Sequence, residues 1–120
     1  YDLVLLDLPL GMAPVIPCRR LLVVNADANC HVRLHRHPWA ADERLLVTQF
    51  SSQRALQQGL LDLWLAGGLP LLNLHLHRDE AMAEAMAAKL PVGRYAPTSL
   101  VAHELAALAT WCLAEGEVPR

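Results

Sequence analysis

The stretch Leu21-Leu22-Val23-Val24-Asn25-Ala26-Asp27-Ala28-Asn29-Cys30-His31-Val32-Arg33-Leu34-His35 decides the fold. Four consecutive apolar residues end abruptly in small polar ones, and the pattern then turns helical. A run that is apolar at every position reads as a strand covered on both faces, as in parallel sheets sandwiched by helices. The polar residues after it fall at the strand's C-terminal end, where open α/β sheets hold their ligands. The same grammar opens the chain, where Leu3-Val4-Leu5-Leu6 runs into Asp7-Leu8-Pro9-Leu10-Gly11. Two apolar strands ending in Asp or Asn point to a nucleotide-binding sheet. These 120 residues contain no glycine-rich phosphate loop.

Working outward, the order reads strand, loop, strand, helix, strand, helix, strand, helix, helix. Strands are expected at residues 3–6, 21–24, 45–50 and 71–76. In the last of these Asn73, His75 and His77 alternate with Leu72, Leu74 and Leu76, which makes one sheet face more polar. Asp27 or Asn29 has the chemistry to cap the first helix. Ser51 or Ser52 is expected to cap a second helix running to about Leu65, with Leu56, Leu60, Leu63 and Trp64 on one face. Gly67-Gly68 ends it by tolerating a left-handed backbone. Asp79 caps a helix over residues 81–88, and Pro91 breaks it. Thr98 or Ser99 starts the final helix, residues 100–113, with Val101, Leu105, Leu108 and Cys112 inward. Strands alternating with helices predict an α/β layered fold with a mainly parallel sheet.

Composition narrows the function classes. At 54% hydrophobic and 18% charged, the chain has ample material for one core. A net charge of −2 gives no electrostatic footprint for nucleic acid. Three cysteines, odd in number and without CxxC spacing, argue against a disulfide framework and fit reduced thiols. No run approaches the roughly 18 apolar residues of a membrane helix, and no basic-then-apolar leader opens the chain. The second residue already enters an apolar strand, so the sequence reads as the C-terminal portion of a longer chain.

Few residues carry recognisable chemistry. Asp7 ends an apolar run, where a carboxylate can hold a magnesium ion through water, and Gly11 allows a close backbone approach to phosphate. The same residues also make a plain strand-to-loop turn. Asn25, Asp27 and Asn29 line the second strand's end. Cys30, His31, His35 and His37 invite a metal reading, yet they match no recurring zinc spacing. His103-Glu104 begins like a zinc-protease helix, but Ala107 stands where the second histidine belongs. The serines lack a nucleophile-elbow setting.

Residues 24–35 and the segment His77-Arg78-Asp79-Glu80-Ala81-Met82-Ala83-Glu84-Ala85-Met86-Ala87-Ala88-Lys89-Leu90-Pro91-Val92-Gly93-Arg94-Tyr95 closely resemble the BcsQ (YhjQ) family of bacterial cellulose-biosynthesis proteins. Thr110-Trp111-Cys112-Leu113 matches that family's last helix, and the resemblance runs in order over nearly the whole chain. The family looks like a member of the MinD/ParA group of deviant P-loop ATPases, which dimerise face to face around two nucleotides. The resemblance implies that residues 1–120 are the C-terminal part of a single nucleotide-binding domain, a mainly parallel sheet with helices on both faces. It assigns Asp7 to the magnesium and water region as the catalytic position, and Pro9 and Gly11 to the switch segment. Thr48 stands near where the family carries an adenine-reading asparagine, and His77, Arg78 and Asp79 follow the strand whose end flanks the base.

The implied cofactors are ATP and Mg2+ in the complete protein, with none held tightly by this chain alone. The implied partners are a second copy, as a homodimer, and other Bcs subunits of the cellulose synthase complex, with no nucleic acid. The implied location is cytoplasmic, at the inner-membrane face through those partners. The chain alone is expected not to hydrolyse ATP, because no loop in it cradles a triphosphate. Two alternatives stand beside this: a catalytically inactive scaffold of the secretion complex, and a metal-binding module.

Overall fold

The computed structural model describes residues 1–114. Three strands, β1 (Arg20–Asn25), β2 (Glu43–Phe50) and β3 (Leu71–His77), form one parallel sheet in that order. Helix α1 (Ala28–His35) carries the chain from β1 to β2, and α2 (Ala55–Ala66) from β2 to β3. Three helices follow: α3 (Glu80–Ala87), the single turn α4 (Val92–Tyr95) and α5 (Leu100–Ala114).

Side chains alternate along β2, and this alternation builds two cores. Leu45 and Val47 are fully buried toward α1 and α2, where they meet Leu34, Leu60, Leu61 and Trp64. Leu46 faces the other way and packs with Leu72 and Leu76 under Leu105, Leu108 and Trp111 of α5. Helices therefore cover both faces of the central strand β2, where Leu45, Leu46 and Val47 are all buried. The continuously apolar β1 lies instead at the sheet's edge and is not covered on both faces as its sequence predicts: Val23 is 56% exposed. Each such buried side chain contributes about 1.5–3 kcal/mol relative to exposure. A third cluster of Ala85, Val92 and Val101 ties α3, α4 and α5 together.

Local signals set the boundaries. Asp27 starts α1, its Oδ1 accepting the Cys30 N–H at 2.7 Å. The left-handed residue that closes α2 is Gly68, at φ +75°. Ser99 opens α5, its Oγ accepting the Ala102 N–H at 3.3 Å. Asp79 opens α3, as its position after β3 implies.

Three further expectations are corrected. Residues 3–6 form no strand; Val4 and Leu5 are 66% and 79% exposed. Apolarity supplies a tendency to bury but not the neighbour that takes a strand's N–H and C=O groups. The segment pairs with neither outer edge of the sheet. Neither Ser51 nor Ser52 caps α2: a turn from Ser51 O to Arg54 N intervenes, and Arg54 holds the cap position without a side-chain bond. The buried stripe of α2 is Leu60, Leu61 and Trp64, while Leu56 and Leu63 are exposed, because the helix presents a face rotated from the expected one to the sheet.

Candidate functional site

All three strands end on one edge of the sheet. Asn25 closes β1 in register with Thr48, and Phe50 closes β2 in register with His77. Crevices outside these C-terminal ends are where open parallel sheets take ligands. The Thr48 hydroxyl donates to Asn25 Oδ1 at 3.1 Å, so the two polar side chains are joined across the strands. The adjoining residue, Gln49, has φ +51°. A non-glycine residue held there costs on the order of 1 kcal/mol, and such strain concentrates at functional sites. It coincides with the register shift between Val47 and Phe50.

At the β3 end, aromatic rings gather. Phe50 lies 5.2 Å from His75 and 5.4 Å from His77, centroid to centroid. Burial pushes the His75 imidazole below its ordinary pKa, and neighbouring His77 pushes it the same way. Its Nδ1 is buried without a hydrogen-bond partner. The polar face expected for this strand is therefore real, and the histidines occupy it beside a phenylalanine. Glu104 of α5 reaches back to His77. Its Oε2 accepts the His77 main-chain N–H at 2.8 Å, and its Oε1 pairs with the ring Nδ1.

The next two residues differ in their surroundings. Arg78 anchors the turn through its main-chain N–H, donated to Phe50 O at 2.9 Å, and its side chain is exposed. Asp79 serves two helices at once. Its Oδ1 accepts the Ala81 N–H of α3 at 2.9 Å, and its Oδ2 accepts the Val101 N–H of α5 at 3.3 Å. A single carboxylate thus faces two positive helix ends.

The remaining candidates lie elsewhere. Asp7, Pro9 and Gly11 are exposed in the N-terminal segment, where Pro9 O accepts the Met12 N–H and Gly11 has φ +82°. Asn25, Thr48 and His77 share the sheet edge; Asp7, Pro9 and Gly11 do not join them. Two of the histidines near Cys30, His31 and His37, have other partners. Trp64 donates its indole N–H to His31 Nδ1 at 3.0 Å, and His37 Nε2 lies 2.9 Å from buried Glu43. Burial raises the Cys30 thiol pKa. No group of three or more His, Cys, Asp or Glu side chains suited to a metal ion occurs among the described residues. No helix among them is long and apolar enough to cross a membrane.

The sequence did not reveal Glu104 as part of this edge. Glu104 lies 27 residues from His77, so no local spacing joins them. The alternating histidines of β3 were the one available signal.

The family model described as "Cellulose biosynthesis protein BcsQ" matches residues 1–113. The cellulose biosynthesis protein BcsQ of Salmonella typhimurium is 43% identical over 119 residues, covering 94% of this chain and 48% of its own length. A putative cellulose biosynthesis protein BcsQ of Escherichia coli K12 is 40% identical over the same span, with 49% of its own length covered. The chain spans about half the length of the relatives it matches.

Proposed function

The chain belongs to the family of cellulose biosynthesis protein BcsQ, and from that premise we propose that it forms part of a nucleotide-dependent switch supporting bacterial cellulose synthesis and export. In this reading ATP with Mg2+ controls face-to-face pairing of two copies, and the paired form engages other subunits of the cellulose synthase complex at the cytoplasmic side of the inner membrane. The observation that carries it is the common sheet edge of Asn25, Thr48 and His77 in a parallel sheet whose central strand is covered on both faces. A base lying against that edge meets polar groups from three strands and the ring of His77. Asp7 would belong to the magnesium and water region, with Pro9 and Gly11 in the segment that responds to the terminal phosphate. That role requires the exposed N-terminal segment to close on the nucleotide.

A chimera tests the reading. This chain is substituted for the matched segment of the Salmonella typhimurium relative and returned to that organism. Restored cellulose output, read by dye binding, is the expected result. No restoration from a chimera that is folded and present at normal level overturns it. The purified chimera is then given ATP and Mg2+. Binding with turnover supports the switch, binding without turnover supports the inactive scaffold, and no binding removes the nucleotide from the account. The 120-residue chain alone is expected to show no turnover above a buffer blank.

A further inference from the structure

We propose that Glu104 is a positioning residue that fixes the His77 imidazole with its proton on Nδ1, leaving Nε2 to accept a hydrogen bond from the amino group of a bound purine base.

Arg78 donates its main-chain N–H inward to Phe50 O, so the His77 N–H points to the opposite side of β3. That direction is the outer edge of the sheet, where a strand N–H has no ladder partner. Glu104 Oε2 meets it at 2.8 Å. The second oxygen of the same carboxylate lies on the ring Nδ1. One side chain therefore holds both the backbone and the ring of His77, and the Glu104 side chain is only 14% exposed. An ionised carboxylate offers only lone pairs, so the ring nitrogen facing it carries the hydrogen. In the neutral ring the other nitrogen is then a bare acceptor. Nε2 has no hydrogen-bond partner among the described residues, and the His77 side chain is 31% exposed at the ligand edge. Phe50, packed at 5.4 Å, holds the ring plane.

An acceptor at this position distinguishes purines. The exocyclic amino group of adenine donates, whereas the corresponding oxygen of guanine is an acceptor and meets lone pair with lone pair. A site built to accept an N–H rejects the analogue that lacks it more strongly than an apolar pocket rejects a misfit. This selectivity rests on the nucleotide reading above; the fixed tautomer does not.

Two measurements test it. Nitrogen-15 NMR of the imidazoles in the 120-residue chain is expected to find the His77 proton on Nδ1, with Nε2 pyridine-like. Glu104→Met keeps side-chain length and helix propensity but has no oxygen, and it is expected to move the proton to Nε2. Glu104→Gln has a single acceptor, which the His77 main-chain N–H claims, so its NH2 faces Nδ1 as a donor and the ring proton is expected on Nε2 there too. A wild-type ring protonated on Nε2 alone, or a folded Glu104→Met chain with Nδ1 still carrying the proton, overturns the positioning role. The wild-type spectrum decides even if the methionine variant fails to fold.

In the Salmonella chimera, Glu104→Met is expected to weaken ATP binding about fivefold and bring the ATP-to-GTP ratio toward one, the effect of losing one hydrogen bond. An unchanged ratio overturns the base-reading role while leaving the tautomer result standing. A wild-type chimera that binds neither nucleotide overturns both the base-reading role and the nucleotide reading on which it rests.

Discussion

Replacing Asp79 is expected to destabilise two helices rather than one. Oδ1 caps α3 at 2.9 Å and Oδ2 holds the Val101 N–H of α5 at 3.3 Å. Loss of an N-cap to alanine costs about 1 kcal/mol. The longer bond to an ionised acceptor adds about another 1 kcal/mol. Asp79→Ala should therefore cost about 2 kcal/mol. Asp79→Asn keeps one acceptor oxygen, which serves the α3 cap as well as aspartate does, while its amide nitrogen cannot accept from Val101. It should cost about 1 kcal/mol.

Asp27 is the internal control, because it caps α1 alone, through Cys30 N at 2.7 Å. Asp27→Ala should cost about 1 kcal/mol and Asp27→Asn close to nothing. With a urea slope of about 2 kcal/mol per molar, Asp79→Ala lowers the unfolding midpoint by about 1 M and Asp79→Asn by about half that. High salt during the measurement screens the helix-dipole contribution, which differs between the two sites. The reasoning fails if Asp79→Asn shifts the midpoint no more than Asp27→Asn does. The second bond to α5 would then contribute nothing.

Two further outcomes follow from the same structure. His75 has its pKa lowered from 6.5, first by burial and then by His77, so the folded chain resists a proton that the unfolded chain accepts. Its contribution is intact above the unfolded value, is lost as pH falls through 6.5, and levels off below the folded value. His75→Phe should flatten that part of the stability curve, and parallel curves from about pH 8 to about pH 5 would count against it. Leu45→Ala, at a fully buried site, should cost about 2–5 kcal/mol in urea unfolding. Leu5→Ala, in an equally apolar run that is 79% exposed, should stay within about 0.5 kcal/mol. A larger loss at Leu5 would mean that residues 3–6 are paired in solution.

The sequence by itself determined the features whose causes lie within a few residues. The βαβ order, a cap at Asp27 or Asn29, the Asp79 cap, the Gly67-Gly68 stop and the polar face of β3 were legible because periodicity and capping act over one or two turns. The family was legible in long matched segments. Tertiary structure decided which strands have neighbours and which helix faces point inward. Residues 3–6 and 21–24 read alike, yet only the second finds a partner, because a ladder bond needs another strand and no residue encodes one alone. The α2 stripe shifted from Leu63 to Leu61 because the sheet, not the helix, decides which side is covered. The hold of Glu104 on His77 spans 27 residues, and the second bond of Asp79 spans 22. Such contacts exist only after the packing of α5 against β3 has brought distant side chains within hydrogen-bond reach, and hydrogen bonds act over about 3 Å.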